Sequence, residues 1–351
     1  MISIVLFLVV GLALGVGAER LVGGRHDAAG AVPVGAVPGA SAPKRPRSVG
    51  RIVRRTAIGL VVLLLALGVG GYLWASSIFN KIEKIDPAGQ LSHGSGTNYL
   101  LVGSDNGRTA ADQRPGVAGA RSDTIMVLRI QGGHAKMLSL NRDLWVTNPA
   151  TGQKGRLNAT YNSGPANLIK AVTQNFGIPI DRYIEIDFAS FGSLVDSFGG
   201  IDITFANPAF DLASGLDVRT AGVVHLDGTQ ALAYVRSRHY YERINGQPVA
   251  EGGLPDVNRT LRQQTFLRAI MAKAGNKRNP FTLMSAASKM SKGLRIDKQM
   301  TMLDAARFAW NMGRLNPETV RMPVTPFVTS GGADVLSLQQ PAADQILAQF
   351  R

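Results

Sequence analysis

Acidic residues and arginines gather at a few places in this chain, and their types suit a phosphorylated ligand. Gly103-Ser104-Asp105 follows one short apolar run, Arg121-Ser122-Asp123-Thr124 precedes a second, and Asn141-Arg142-Asp143 closes a third. Carboxylates suit Mg2+, which takes one or two of them and keeps its other positions for water and substrate phosphate. Arginines suit the phosphate oxygens, which a guanidinium grips as a two-pronged fork. Taken singly, Asp and Asn at strand ends are ordinary turn and capping residues. Taken together, three acid-bearing loops at strand ends indicate a common cleft.

Two further groups extend the set. Tyr234-Val235-Arg236-Ser237-Arg238 ends a predicted helix, where the dipole favours cations in any protein. An i, i+2 spacing points the two arginines apart on a helix, so they form one anion fork only if the helix stops near Arg236. Downstream, Asp256 precedes a predicted helix over Arg259 to Lys273, on which Arg259 and Gln263 share a face. A solvated basic helix face is the competing reading. His134, His225 and His239 show no spacing of metal ligands, and no base is placed by sequence beside Ser104 or Ser122, so these serines read as turn residues. The chain has no cysteine, which excludes a disulfide framework, a thiolate metal site and a cysteine nucleophile.

The elements that must position these residues begin with a membrane anchor. Residues 57–75 carry no charge and match the length a helix needs to cross a bilayer. Lys44-Arg45-Pro46-Arg47 with Arg51, Arg54 and Arg55 precedes it, and the positive-inside rule keeps that cluster in the cytoplasm and everything after about residue 78 outside. Residues 1–18 read as a first membrane helix and 19–55 as a cytoplasmic Pro-, Gly- and Arg-rich linker. Of the net charge of +14, the first 55 residues hold eight basic and two acidic side chains, so +6 sits there and +8 on the rest. That balance suits a polyanionic ligand without choosing among phosphate, nucleic acid and lipid headgroup.

From Thr97 the pattern alternates strands and helices. Apolar runs at Asn98 to Gly103, Thr124 to Ile130 and Ala135 to Leu140 read as strands, and Phe188 to Phe198 as a helix closed by Gly199-Gly200. Ile201 to Phe205 reads as a strand, Thr229 to Val235 as a helix, and His239 to Pro255, rich in Gly and polar residues, as a mobile loop over the cleft. The expected fold class is α/β, a mixed central sheet sandwiched by helices and preceded by an N-terminal transmembrane helix, with residues 80–351 forming one domain.

Six motifs in order resemble those of the LytR-CpsA-Psr family: Asn98 to Asp105, Arg121 to Thr124, Asn141 to Asp143, Arg156-Leu157-Asn158-Ala159-Thr160-Tyr161, His225 to Arg238 and Asp256 to Gln264. The resemblance covers a motif core at 97–275. It implies an extracytoplasmic α/β/α domain on the cell membrane that moves a glycan from a polyprenyl diphosphate carrier to a peptidoglycan hydroxyl. It implies that Asp105 and Asp123 hold Mg2+, with Mn2+ as a substitute, and that Arg121, Arg142, Arg236, Arg238, Arg259 and Gln263 clamp the diphosphate. Asp105, Asp123, Arg142 and Asp143 form the expected catalytic set, with Asp143 or a metal-site acid as base for the hydroxyl proton. An apolar tunnel for the lipid, lined partly by helices at 165–176 and 188–198, is implied too. Asn141 and Arg156 depart from the commonest family residues, proline and lysine. An Ala-, Gly- and Arg-rich composition makes arabinogalactan a candidate glycan. No nucleic-acid partner is expected. Two other functions use parts of the same chain: a diphosphatase with water as acceptor, and a non-enzymatic envelope sensor or transcriptional attenuator. The sensor needs a cytoplasmic domain or partner, and the short linker shows no helix-turn-helix pattern.

Overall fold

The computed structural model describes residues 49–92, 94–105, 121–276, 280–312 and 314–351, so the expected first membrane helix at 1–18 and all but the end of the linker lie outside the described residues. Helix α1 (Val49–Lys81) is continuous, and its Val53–Lys81 part is long and apolar enough to cross a membrane. Leu60, Leu63 and Leu64 are exposed, which lipid tolerates and water does not. The chain divides into two units, Met1–Trp74 and Ala75–Arg351.

In the second unit, β1 (Glu83–Ile85) is followed by β2 (Thr97–Asp105), β3 (Arg121–Gln131), β4 (His134–Ser139), β5 (Trp145–Thr147) and β6 (Lys154–Arg156). A 3-10 helix (Leu157–Ser163) leads into α2 (Pro165–Phe176), then β7 (Arg182–Asp187), α3 (Phe188–Ser197), β8 (Ile201–Phe205), β9 (Ala209–Asp211), β10 (Leu216–Val218) and β11 (Gly222–Leu226). Next come α4 (Gly228–Arg236), β12 (Tyr241–Ile244), β13 (Gln247–Ala250), α5 (Pro255–Asn276) and α6 (Pro280–Met290). The chain ends with β14 (Leu294–Asp297), α7 (Met302–Met312), β15 (Glu318–Val320), β16 (Val324–Val328), β17 (Asp334–Leu338) and α8 (Ala342–Leu347), before a final short 3-10 turn.

Seven strands make the central sheet in the order β1-β14-β7-β2-β3-β4-β15. It is mixed: β2 pairs antiparallel with β3 and parallel with β7. The period-2 alternation of β2 decides which residue enters which layer. Leu100 and Val102 join Val127 and Leu138 against Leu168, Ile169 and Val172 of α2. Tyr99 and Leu101 point the other way and join Met126, Leu128 and Met137, with Leu267 of α5 and Phe308 of α7 packed on them. Helices therefore cover both faces, as the sequence pattern anticipates. A further cluster around Val195, Phe205, Tyr234 and Phe266 welds α3, α4 and α5 to β8. Of the two helices expected to line a lipid tunnel, α2 packs in the first cluster and α3 in this last one.

Two expectations about loops are corrected. Asp105 and Arg121 lie inside the β2–β3 ladder rather than outside it, because the pairing continues through Asp105↔Arg121 beyond a register shift at Gly103/Ser104. The stretch expected to be a mobile loop, His239 to Pro255, contains the antiparallel hairpin β12–β13, which also pairs with β9. Its two-residue turn is Asn245-Gly246, both at positive φ (51° and 79°), the type I′ geometry whose twist matches paired strands.

Helix α4 approaches α3 closely at Gly228. Its N–H donates to Asp196 Oδ1 at 2.7 Å, and a Cβ there would lie 2.3 Å from the Gly192 carbonyl oxygen. Gly228→Ala is therefore expected to push α4 away from α3 and to lower the denaturation midpoint by an amount corresponding to roughly 1–3 kcal/mol, the usual range for overpacking. Equilibrium unfolding checks it, and a midpoint matching the parent would show that the contact yields at no cost.

Candidate functional site

Beyond β4 the chain turns through Asn141, Arg142 and Asp143, and backbone bonds fix that turn. The Arg142 carbonyl accepts from Asn158 N–H at 3.0 Å and the Asp143 carbonyl from Leu336 N–H at 3.0 Å. The Asp143 carboxylate lies between two guanidinium groups, 3.4 Å from Arg142 Nε and 3.3 Å from Arg156 Nε. Arg156 is steadied further by donating Nη2–H to the Asp334 carbonyl at 2.9 Å. These three residues line a cleft of about 340 Å³ with Trp145, Asn158 and Asn162. Among the described residues lining the cleft, two cations stand against one anion, which suits an anionic ligand. Trp145, Arg156, Asn158 and Asn162 carried no functional assignment in the sequence; the motif Arg156 to Tyr161 was the available signal.

The second group is organised by a residue that sequence reasoning missed. Helix α4 ends at Arg236, and Ser237 leaves it with φ −58° and ψ 127°, so Arg236 and Arg238 are not both helical and the condition for a fork is met. Asp211, fully buried, accepts from Ser237 Oγ at 2.7 Å and from the N–H groups of Arg238 and His239 at 2.9 Å each, while its other oxygen accepts from Ala213 and Ser214 N–H. Burial alone would raise its pKa, but the hydrogen bonds from Ser237, His239, Ser214 and Arg238 outweigh it and hold the carboxyl below its ordinary value. The stability this contributes is complete above the unfolded pKa of about 4 and is lost as pH falls through the lower folded value. Asp211→Ala is expected to cost on the order of 3 kcal/mol at neutral pH, with the difference from the parent shrinking in acid. Urea melts across that range check both, and a pH-independent difference would contradict the assignment.

Helix α5 joins the two groups. Gln263 Nε2 donates to the Val235 carbonyl at 3.3 Å, and Arg262 donates Nη2–H to the Ser237 carbonyl at 2.8 Å and pairs with Glu251 at 2.6 Å. The next residue, Gln264, donates to Ser139 Oγ at 2.9 Å, at the end of the strand that delivers Arg142. Arg259 is buried on the same helix, Arg236 is half-buried and Arg238 exposed. One turn of α5 thus touches both the Arg236 corner and the strand before Arg142.

The side chains of Asp105, Arg121 and Asp123 lie outside what is described, and only their backbone can be placed. Across the ladder Asp105 pairs with Arg121, Ser104 with Ser122 and Gly103 with Thr124, which makes Asp123 the extra residue of a β-bulge. Ser122, between the two acid positions, has a fully buried hydroxyl with no hydrogen-bond partner among the described residues. A lone buried oxygen beside two carboxylate positions fits a hard cation or a water bound to one. Among the described residues no group of three metal-ligating side chains stands elsewhere.

Under the ladder sits a second buried carboxylate. Glu185 on β7 accepts from Ser104 Oγ at 2.6 Å, Tyr161 OH at 2.5 Å and Tyr183 OH at 2.6 Å, and Arg295 Nη1 reaches both its oxygens at 3.2 Å. Tyr161 belongs to the 3-10 helix that brings Asn158 and Asn162 to the cleft, and Ser104 precedes Asp105. His225, by contrast, pairs with Asp202 at 2.7 Å on an exposed two-stranded sheet.

A model of the LytR_cpsA_psr family matches residues 69–351. The probable cell wall biosynthesis protein LcpB of Corynebacterium glutamicum is 32% identical over 321 residues, covering 88% of this chain and 72% of that protein. The polyisoprenyl-teichoic acid–peptidoglycan teichoic acid transferase TagV of Bacillus subtilis is 28% identical over 267 residues, covering 69% of this chain and 62% of that protein. Among solved structures, a LytR-Csp2A-Psr enzyme from Actinomyces oris superposes with a TM-score of 0.62 at 24% identity, over 77% of this chain and 95% of the other, and so shares the fold.

Proposed function

The chain belongs to the LytR-CpsA-Psr family, and from that premise we propose that it is a membrane-anchored transferase. It moves a glycan from a polyprenyl diphosphate carrier to a peptidoglycan hydroxyl outside the cytoplasm. The observation that carries this reading is the cleft in which Arg142 and Arg156 flank Asp143. The names of LcpB and TagV, one a cell wall biosynthesis protein and one a transferase of polyisoprenyl-linked teichoic acid to peptidoglycan, support the substrate class. The basic cluster before α1 supports the orientation. Arabinogalactan is the glycan we favour, on composition.

In the proposed reaction the acceptor oxygen forms a bond to the phosphorus that carries the glycan, and the bond from that phosphorus to the polyprenyl phosphate oxygen breaks. The glycan is left in a phosphodiester and polyprenyl phosphate departs. Chemistry of this type depends on positioning and charge neutralisation. Arg142, with Arg236, Arg238 and Arg259, grips the diphosphate oxygens, and Gln263 holds the α4 corner by its bond to Val235. A base takes the hydroxyl proton; Asp143 is the candidate whose carboxylate faces the cleft. Asp105 and Asp123 are the residues that would hold Mg2+, or Mn2+ in its place. When bound, the ion would neutralise charge on the diphosphate.

The test is transfer of labelled glycan from a polyprenyl diphosphate donor to peptidoglycan fragments by the full chain in detergent, with and without Mg2+. Covalent, Mg2+-dependent product that disappears in Asp123→Ala is expected. Soluble phosphoglycan released without an acceptor would make the protein a diphosphatase, and tight donor binding with no bond changed would make it a carrier-binding sensor.

A further inference from the structure

The cleft beside Arg142 has two unlike sides. Arg142, Asp143 and Arg156 bring its charge, while Trp145, Asn158 and Asn162, which also line it, bring none. Backbone bonds hold these three in place and leave their side chains uncommitted. Trp145 stands half-buried on β5 between the buried Leu144 and Val146, and pairs across the ladder with Arg156. Asn158 N–H donates to the Arg142 carbonyl at 3.0 Å and Leu157 N–H to the Leu144 carbonyl at 2.8 Å. The Tyr161 hydroxyl ties the same 3-10 helix to Glu185 at 2.5 Å.

Nearby asparagines use their amides to hold the fold. Asn167 Nδ2 donates to Asn148 Oδ1 at 2.9 Å and to the Thr160 carbonyl at 2.7 Å, and Asn175 Nδ2 donates to the Thr147 and Ala171 carbonyls at 2.9 Å each. The Asn158 and Asn162 side chains make no such bond among the described residues. The Phe210 ring is covered by Tyr241 and Arg243, whereas no ring or cation stacks on Trp145 among the described residues. An open indole face takes the C–H groups of a flat, uncharged ligand, and each amide offers both a donor and an acceptor. A sugar ring has C–H groups on its face and hydroxyl or acetamido groups around its edge, so it matches all three side chains. A phosphate, which only accepts, leaves the amide oxygens unused. At about 340 Å³ the cleft has room for one ring rather than a chain, since small-ligand sites run from roughly 300 to 1,000 Å³.

We propose, resting on the transferase reading above, that Trp145, Asn158 and Asn162 form the acceptor subsite, which seats one N-acetylhexosamine ring of the peptidoglycan strand beside Asp143. A base works only within hydrogen-bond reach of the hydroxyl it deprotonates, roughly 2.6–3.2 Å. Asp143 lines the same cleft, so a ring seated on Trp145 offers its hydroxyl there while Arg142 and Arg156 face the phosphate. Water, the competing acceptor, has no face to lay on the indole. The subsite therefore favours transfer over hydrolysis.

The test uses the full chain in detergent and separates the two substrates. Transfer is measured with varied labelled polyprenyl diphosphate donor and varied soluble tetrasaccharide of alternating N-acetylglucosamine and N-acetylmuramic acid, giving a KM for each. Trp145→Ala is expected to raise the acceptor KM about tenfold, the size of one ring-stacking contact, with the donor KM unchanged. Trp145→Phe, which keeps a ring, should recover part of that loss. Asn162→Ala is expected to raise the acceptor KM several-fold, the size of a neutral hydrogen bond. Asn162 is exposed, so this variant should unfold at the parent's urea midpoint and its kinetic change is no folding defect. Saturation-transfer NMR of the tetrasaccharide needs no turnover: signal with the parent and its loss in Trp145→Ala support the sugar site even in a chain that transfers nothing, where only the transferase reading fails. Absence of signal with the parent overturns the proposal. So does a parent that transfers while both alanine variants keep its acceptor KM, which leaves the transferase reading intact. A raised donor KM in place of the acceptor KM also overturns it, and assigns the ring to the donor glycan.

Discussion

Glu185→Ala is expected to destabilise the domain by about 3–5 kcal/mol, the cost of leaving a partly buried charge without its partner. Arg295 has a side chain only 18% exposed and would keep Glu83, 3.0 Å from its Nε, and the neutral Tyr161 hydroxyl, 3.1 Å from its Nη1. Ser104, Tyr161 and Tyr183 would each lose the acceptor of a short hydrogen bond in a dry site. Burial first, and then the neighbouring Glu185 charge, pushes the pKa of both tyrosines up, so they remain protonated donors at any working pH and have no charged form to escape into. Glu185→Gln keeps one acceptor oxygen and the shape, and should recover part of the loss. Urea denaturation gives the size, and a loss under about 1 kcal/mol in the alanine variant would mean that water takes over the carboxylate's bonds. The functional consequence follows from the ties themselves: Ser104 precedes Asp105, and Tyr161 anchors the 3-10 helix bearing Asn158 and Asn162. A variant that folds should therefore still lose order at two edges of the cleft.

Glu185 and Asp211 also mark where sequence reading stops. The layers were legible because the unbroken apolar run along β2 and the helical spacing in Phe188 to Phe198 are one-dimensional signals of a buried strand and of a helix. The arginines and Asp105, Asp123 and Asp143 were legible because each sits in a short motif at an element end. Glu185 has no such signal: it lies in the middle of a strand, and its four partners come from β2, β7, β14 and the 3-10 helix, up to 110 residues away. Asp211 has the same character, since it joins β9 to a hydroxyl and two backbone N–H groups 26 to 28 residues further on. The β12–β13 hairpin is a different case. Asn245-Gly246 is a strong local signal, masked by the surrounding Gly and polar residues that suggested a loop. The ladder extending to Asp105 and Arg121 depended on a bulge, and bulges are set by pairing across strands rather than by either strand alone.

Arg142→Ala is expected to lower kcat/KM for transfer by roughly 100- to 1000-fold, about 3–4 kcal/mol of transition-state stabilisation, as for other charge-stabilising groups aimed at a reacting centre. The fold should be little affected, because what ties this turn down is the Arg142 carbonyl, which the substitution keeps. Arg156 remains beside Asp143 in that variant, so among the described lining residues one cation is left against one anion. Arg142→Lys restores the charge as a compact ammonium without the planar fork, and should recover less than the full loss. Asp143→Asn separates the two roles open to that carboxylate. If Asp143 takes the acceptor proton, the asparagine variant loses the acid limb of the pH–rate profile along with most of its turnover. If Asp143 only holds Arg142 and Arg156 apart, the amide keeps one acceptor for them, the profile keeps its shape and the loss appears chiefly in KM. Full activity in Arg142→Ala would remove the cleft from the reaction altogether and shift attention to the Arg236 corner on the other side of α5.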